Sequence, residues 1–135
     1  MGSWLDSSRD PLHVMRFPAR YEFEELDREL TAMREYFVAR EREDRSLWVA
    51  LLVDLSRVER SEARNRKRIA DTMTRLVPIM QRCCAGQAYV VSRPIIRAAL
   101  TATMWLRSPP WPVRVFGDGA EARAWLAERL ESRGG

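Results

Sequence analysis

The sequence predicts an α/β domain in which a mainly parallel central sheet is flanked by helices, in the order ββαβαβαβα. Two segments, residues 47–54 and 88–91, are apolar on both faces, as sheet strands covered on both sides are. Amphipathic helical patterns separate such segments, and this alternation is typical of parallel strands. The 135 residues are enough for about one domain and contain no repeat or linker, so residues 1–135 are predicted to form a single domain.

The first half of the chain predicts two short strands and a long helix. Residues 12–17 alternate apolar and polar side chains imperfectly, residues 4–6 are a candidate partner strand, and residues 9–11 form the turn between them. A helix follows, because five apolar residues recur at spacings of three and four along one face: Phe23, Leu26, Leu30, Met33 and Phe37. Acidic residues at its start and arginines at its end suit the helix macrodipole.

The next two helices are bounded by residues with suitable capping chemistry. Ser61 is predicted to cap the second helix, Pro78 to kink it or loosen its last turns, and Gly86 to end it. Ser92 is predicted to cap the third helix, residues 95–106, directly after a buried strand.

The last unit is predicted to be a strand at residues 113–116 followed by a helix that begins at Asp118. Asp118 stands at the N-cap, and Glu121 follows three residues later, which is the pattern of a capping box. This pattern explains the two glycines beside Asp118 better than a phosphate-binding loop does.

The net charge of +4 is unevenly distributed along the chain. Residues 57–68 contain six basic and two acidic residues, so this segment carries the whole excess. Such a cluster attracts phosphates or acidic protein surfaces, or it is simply a solvated helix face, which is the interpretation we favour. The segment has no aromatic residue for stacking on bases, so nucleic-acid binding ranks below the other hypotheses.

The sequence contains no recognisable pattern for catalysis, a cofactor or a metal. His13 is the only histidine, it lies mid-strand, and neither a nucleophile elbow nor a glycine-rich phosphate loop is present. Cys83 and Cys84 are adjacent, which favours two reduced thiols, and they provide too few ligands for a metal. The longest apolar run, residues 47–53, is too short to span a membrane, and the first residues do not resemble a signal peptide. We therefore expect a cytoplasmic protein that is not an enzyme.

Polar residues follow the strands at the predicted carboxyl edge of the sheet, where open α/β sheets gather their ligands. The candidates for a ligand or partner edge are Asp54, Ser56, Arg57, Ser92, Arg93 and Arg97. Asp54 is more readily explained as an acceptor for backbone N–H groups in a turn than as a base. The start of the third helix beside Arg93 suits an anion or small polar ligand.

The third helix is apolar on nearly all sides, which indicates either an interface or burial under other helices of the chain. Met104 and Trp105 are consecutive, so they point about 100° apart and cannot both face the sheet. One of them, together with Trp111, is predicted to reach the surface or a partner and to form a homodimer.

Two parts of the sequence resemble a known family. Residues 54–58 read DLSRV, a D-L-S-x-V segment that resembles the STAS domain of anti-sigma-factor antagonists. Residues 88–102, the PPWP turn at residues 109–112 and the segment from Glu121 to Leu126 resemble a divergent SpoIIAA-like group of short bacterial proteins. This group is related in fold to STAS domains and to CRAL-TRIO lipid carriers, and the resemblance covers nearly the whole chain.

The resemblance implies a non-enzymatic regulatory or scaffolding module. In antagonist STAS domains, a serine in a D-S-S-G segment just beyond the D-L-S strand is phosphorylated by a partner kinase. Ser61 is the nearest serine here and the candidate phosphoswitch, but it has neither the preceding Asp nor the following Gly. The chain therefore departs from the family pattern at this point.

Our main hypothesis is a self-associating protein-interaction module without a cofactor, a metal or membrane insertion. The alternative is a small-ligand or anion receptor at the carboxyl edge of the sheet, near the start of the third helix.

Overall fold

Strands precede and alternate with helices along the chain. The structure is a computed structural model that describes residues 3–43, 48–60, 62–106 and 108–134. Of residues 103, 105, 106 and 134 it describes the backbone only. The elements of this part of the chain are β1 (Leu5–Arg9), β2 (Leu12–Arg16), α1 (Phe23–Glu43), β3 (Val49–Asp54), α2 (Ala63–Cys83), β4 (Cys84–Val90), α3 (Pro94–Leu106), β5 (Val113–Phe116) and α4 (Gly119–Gly134). The predicted order of strands and helices is confirmed.

The five strands form one mixed sheet in which spatial order equals chain order, β1-β2-β3-β4-β5. β1 is antiparallel to β2, whereas β2, β3, β4 and β5 are each parallel to the next strand. The α/β prediction is therefore confirmed in its broad form. Apolar residues of α1, α2 and α3 belong to one core cluster, so these three helices lie on one face of the sheet, as connections of one hand between parallel neighbours require.

Two apolar layers cover the sheet, one on each face. On the first face, Phe37 of α1 and Leu76 of α2 are buried in one cluster with Leu51 of β3. On the second face, Leu52 of β3 is buried against Leu126 of α4. Successive residues of a strand point to opposite faces, so the double apolar character of β3 follows from its position between the two layers.

The prediction that Gly86 ends the second helix is wrong. α2 ends at Cys83, β4 begins at Cys84, and Gly86 lies within the strand, paired with Ala50. A Cβ atom on Gly86 would lie 3.1 Å from Cγ of Arg129, because α4 packs closely against the strand at this point. The glycine therefore serves the approach of a helix to the sheet, which is a common use of glycine inside strands.

The helix starts agree only in part with the predicted caps. The carboxylate of Asp118 accepts a hydrogen bond from the backbone N–H of Ala120 at 3.0 Å, which confirms Asp118 as the cap of α4. Ser61 lies outside the described residues, and Glu62 stands at the N-cap of α2 without a side-chain capping bond. Pro78 lies inside α2 as predicted. Within the described residues, no helix is both long and apolar enough to cross a membrane.

Candidate functional site

A cavity of about 670 Å³ lies between α2 and α3, above the first face of the sheet. Its floor includes Val53 of β3 and both Gln87 and Tyr89 of β4. The two β4 residues are separated by one position and therefore point to the same face of the sheet. Ala88 between them points to the opposite face, into the layer covered by α4.

The walls of the cavity are matching apolar stripes on two helices. α2 contributes Ile69, Met73 and Val77, and α3 contributes Ile96, Leu100 and Met104. Within each set the spacing is four residues, which keeps the side chains on one side of the helix. The two stripes therefore line the same cavity from opposite sides.

The cavity extends along most of the helix pair. Its lining runs from Arg66 to Val77 on α2, roughly 16 Å at 1.5 Å per residue. Phe17, Tyr21, Leu55 and Val58 line it from the loops at the carboxyl edge of the sheet. At the amino edge, the turn of residues 108–111 lines it.

Three polar side chains form a hydrogen-bonded chain at the floor of the cavity. The indole N–H of Trp111 donates to Oε1 of Gln87 at 2.8 Å, and Nε2 of Gln87 donates to the hydroxyl oxygen of Tyr89 at 3.1 Å. Gln87 is 1% exposed and Trp111 is 5% exposed, so each requires a partner inside the protein. Burial raises the pKa of Tyr89 to about 12, which keeps its proton on the hydroxyl at neutral pH.

Comparison with known proteins identifies no relative. No protein-family model, curated protein or solved structure matches the chain. The resemblance to STAS and SpoIIAA-like domains therefore stays a prediction.

The predicted edge residues Asp54, Ser56 and Ser92 are brought together. Oδ1 of Asp54 accepts hydrogen bonds from the backbone N–H of Ser56 at 2.9 Å and from its hydroxyl at 2.6 Å, which confirms Asp54 as a turn acceptor. The Ser92 hydroxyl donates to the carbonyl of Ser56 at 2.8 Å, so the loops after β3 and β4 are joined. The prediction that Ser92 caps the third helix is wrong, because Pro94 starts α3 and the hydroxyl is engaged elsewhere.

The three predicted edge arginines take no part in the hydrogen bonds that join Asp54, Ser56 and Ser92. Arg57, Arg93 and Arg97 are exposed, and none of them forms an ion pair with an acidic residue of the described ranges. Arg66, which the sequence did not single out from the basic cluster, is the arginine that lines the cavity.

Of the three predicted interface residues, Trp111 lies elsewhere than expected. Trp111 is buried, because the turn before β5 folds back over the sheet and its indole bonds to Gln87. The expectation that Trp111 lies at the surface is therefore wrong. Met104 is half-buried in the cavity wall, and the side chain of Trp105 lies outside the described residues. Among the described side chains of α3, the exposed large apolar one is Ile95, at 74%.

Gln87 and Tyr89 were missed as site residues, although the sequence holds a signal for them. A glutamine and a tyrosine two positions apart in a buried strand share one face and need polar partners. That signal does not reveal which partner they find, because Trp111 is 24 residues away.

The remaining reactive groups lie apart from the cavity lining. His13 is fully buried, with its ring edge-on to Tyr36 and Phe37. Cys83 and Cys84 are free, and burial raises the pKa of both thiols, that of Cys84 to about 12. The described residues contain no group of three or more His, Cys, Asp or Glu side chains that is arranged to hold a metal ion.

Proposed function

We propose that this protein binds a small, mainly apolar molecule in the cavity between α2 and α3. The observation that carries the proposal is the cavity itself, about 670 Å³ in volume and walled by aliphatic side chains of two helices. Ligand pockets of proteins span roughly 300–1,000 Å³ and combine apolar walls with a few polar groups. Like the alternative hypothesis from the sequence, this proposal describes a small-ligand receptor. It differs in placing the ligand on the face of the sheet instead of at its carboxyl edge.

The size of the cavity argues against a mere packing defect. Protein interiors are close-packed, with few voids larger than a water molecule. The apolar side chains that line the cavity have no protein atoms opposite them, so they lack the dispersion contacts of a packed core. A ligand with apolar groups restores those contacts, so its binding is favoured by the same forces that pack a core.

We infer binding rather than catalysis from the composition of the lining. The lining contains the hydroxyl groups of Tyr21, Thr74, Tyr89 and Ser108, but none of the described residues that line it is a histidine, aspartate or glutamate that would act as a base. His13 contacts aromatic rings of α1 and does not line the cavity.

An environment-sensitive dye, 1-anilinonaphthalene-8-sulfonate, tests the proposal with a matched pair of variants. Ala99 lines the cavity, whereas its neighbour Ala98 is exposed. Ala99→Phe should narrow the cavity and weaken dye binding at least tenfold, while Ala98→Phe should bind the dye as the unmodified protein does. Near-UV circular dichroism checks that each variant keeps fixed tertiary packing. Equal dye affinity in both variants would show that the dye binds elsewhere and would refute the proposal.

Self-association is a second candidate function, favoured by the outer face of α3. Ile95 is exposed, and the exposed Ala98 and Ala102 follow it at three and seven positions. A symmetric dimer uses one such patch twice. Trp111→Ala is unsuited to testing this because Trp111 is buried. Light scattering at ~100 μM, far above a micromolar Kd, should show a dimer. Ile95→Asp should convert this dimer to a folded monomer. If the unmodified chain is monomeric, the hypothesis of self-association is wrong.

The finer assignments of fold and location are also proposals. The DLSRV segment supports a STAS-like identity for the domain, whose sheet is mixed. The free, buried Cys83 and Cys84 support a reducing compartment such as the cytoplasm, because thiols remain reduced there.

A further inference from the structure

The hydrogen-bonded chain at the floor of the cavity has a fixed direction. The indole N–H of Trp111 is a donor only, so the atom of Gln87 that faces it must be the amide oxygen. The amide nitrogen of Gln87 consequently faces Tyr89 and donates to the hydroxyl oxygen. The chain therefore runs from Trp111 through Gln87 to Tyr89.

This direction leaves the proton of the Tyr89 hydroxyl for a further partner. A phenol both accepts and donates, and the acceptor side of Tyr89 is occupied by Gln87. Across the described part of the chain, no group accepts the hydroxyl proton. Tyr89 lines the cavity, and a donor in such a site is costly to leave unpaired.

We propose that the ligand presents an oxygen acceptor, such as a ketone or ester carbonyl, to the hydroxyl of Tyr89. This inference rests on the proposed function and assigns the ligand's polar group. The rest of the ligand is apolar, because the aliphatic stripes of α2 and α3 form the walls. An uncharged acceptor fits the aliphatic walls, since transferring a charge into an apolar site is costly.

Gln87 and Trp111 are positioning residues in this arrangement. They do not need to touch the ligand, because their hydrogen bonds hold the phenol with its acceptor side already filled. The protein thereby selects molecules that accept a hydrogen bond over molecules that donate one.

Benzophenone and diphenylmethane are a matched pair of ligands for the test, since they differ by a carbonyl in place of a methylene. Competition with the bound dye gives the affinity of each. The unmodified protein should bind benzophenone about tenfold more tightly, the contribution of one hydrogen bond. Tyr89→Phe should abolish this preference and leave the affinity for diphenylmethane unchanged, which also shows that the variant is folded.

The outcomes separate this inference from the proposed function. Equal affinities in the unmodified protein, or a preference that persists in Tyr89→Phe, overturn the inference while the cavity remains a binding site. Failure of both compounds to displace a bound dye overturns the inference as stated. Failure of the dye and both compounds to bind at all overturns the proposed function as well. Benzoate is a further arm: binding tighter than that of benzophenone would show that the acceptor is a carboxylate.

Discussion

His13 is a buried histidine whose surroundings disfavour its charged form. Its ring is fully buried, and neither ring nitrogen forms a hydrogen bond within the described residues, although Nε2 lies 3.2 Å from Oδ1 of Asp10. Burial lowers the pKa of His13, and Arg40 lowers it further, while Asp10 opposes both effects. The folded protein therefore keeps the imidazole neutral at pH 7.

This lowered pKa makes stability sensitive to mild acid. The unfolded chain protonates His13 near its ordinary pKa of about 6.5, whereas the folded chain does so only at lower pH. The unfolded state thus binds more protons as the pH falls below about 6.5, and the free energy of unfolding decreases. We expect urea unfolding between pH 7.5 and 5.5 to show a smaller loss of stability for His13→Gln than for the unmodified protein. Identical losses would contradict this account of His13.

Residue roles were predictable from the sequence where the partner is close in the chain. Asp54 was correctly interpreted as a turn acceptor, because its partner Ser56 is two residues away and turns of this kind have a local signature. Ser92 and Trp111 were not, since their partners are 36 and 24 residues away. Local chemistry offers both side chains several partners, and only the packing of the loops selects one.

At the scale of elements, the close contact between α4 and β4 depends on Gly86. A Cβ atom there would also lie 3.4 Å from the ring of Trp125, and the Arg129 side chain is held by a bond from Nε to the carbonyl of Ala85 at 3.2 Å. Gly119, the first residue of α4, is different, because no atom lies within 4 Å of its Cβ position. The two glycines form a matched pair.

We expect alanine at these two positions to change stability in opposite directions. Gly86→Ala should destabilise the protein by about 1 kcal/mol or more, because the added methyl group overpacks a tight contact. Gly119→Ala should stabilise it by about 0.4–1 kcal/mol, because alanine reduces the entropy of the unfolded chain where space is free. Urea denaturation midpoints measure both changes. A stabilising effect of Gly86→Ala would contradict the described packing of α4.

Helices with a regular apolar spacing were predictable from the sequence. What each apolar face packs against was not. The spacing of three and four identified the buried face of α1, Leu26, Leu30, Met33 and Phe37, because these side chains belong to the core cluster on the first face of the sheet. In α3, the same reasoning identified apolar side chains but not the cavity that some of them border. A sequence pattern reports which side chains avoid water, and it does not report whether protein or free space lies opposite.

At the scale of the whole molecule, the excess positive charge is partly engaged within the fold. Arg68 pairs with Asp27 at 2.7 Å, and the guanidinium of Arg64 lies 3.8 Å from the centre of the Phe23 ring. Arg57 and Arg60 remain exposed. The segment at residues 57–68 therefore offers a reduced basic surface to a polyanion.

We accordingly expect weak and unspecific binding of nucleic acids. Each phosphate contact releases counterions, so the affinity for a labelled duplex should fall steeply between 50 and 200 mM salt, roughly tenfold or more for even a few contacts. Fluorescence anisotropy measures this dependence. Tight binding that is independent of salt would show a recognition surface other than residues 57–68.

The central claim concerns the cavity, and methyl NMR spectroscopy tests it most directly. On titration with benzophenone, we expect saturable shifts at the methyl groups of Ile69, Met73 and Ile96, which line the cavity. The methyl groups of Leu126, buried on the opposite face of the sheet, should keep their positions. Lining methyl groups that do not respond at saturating benzophenone, or shifts confined to the outer face of α3 around Ile95, would contradict the claim.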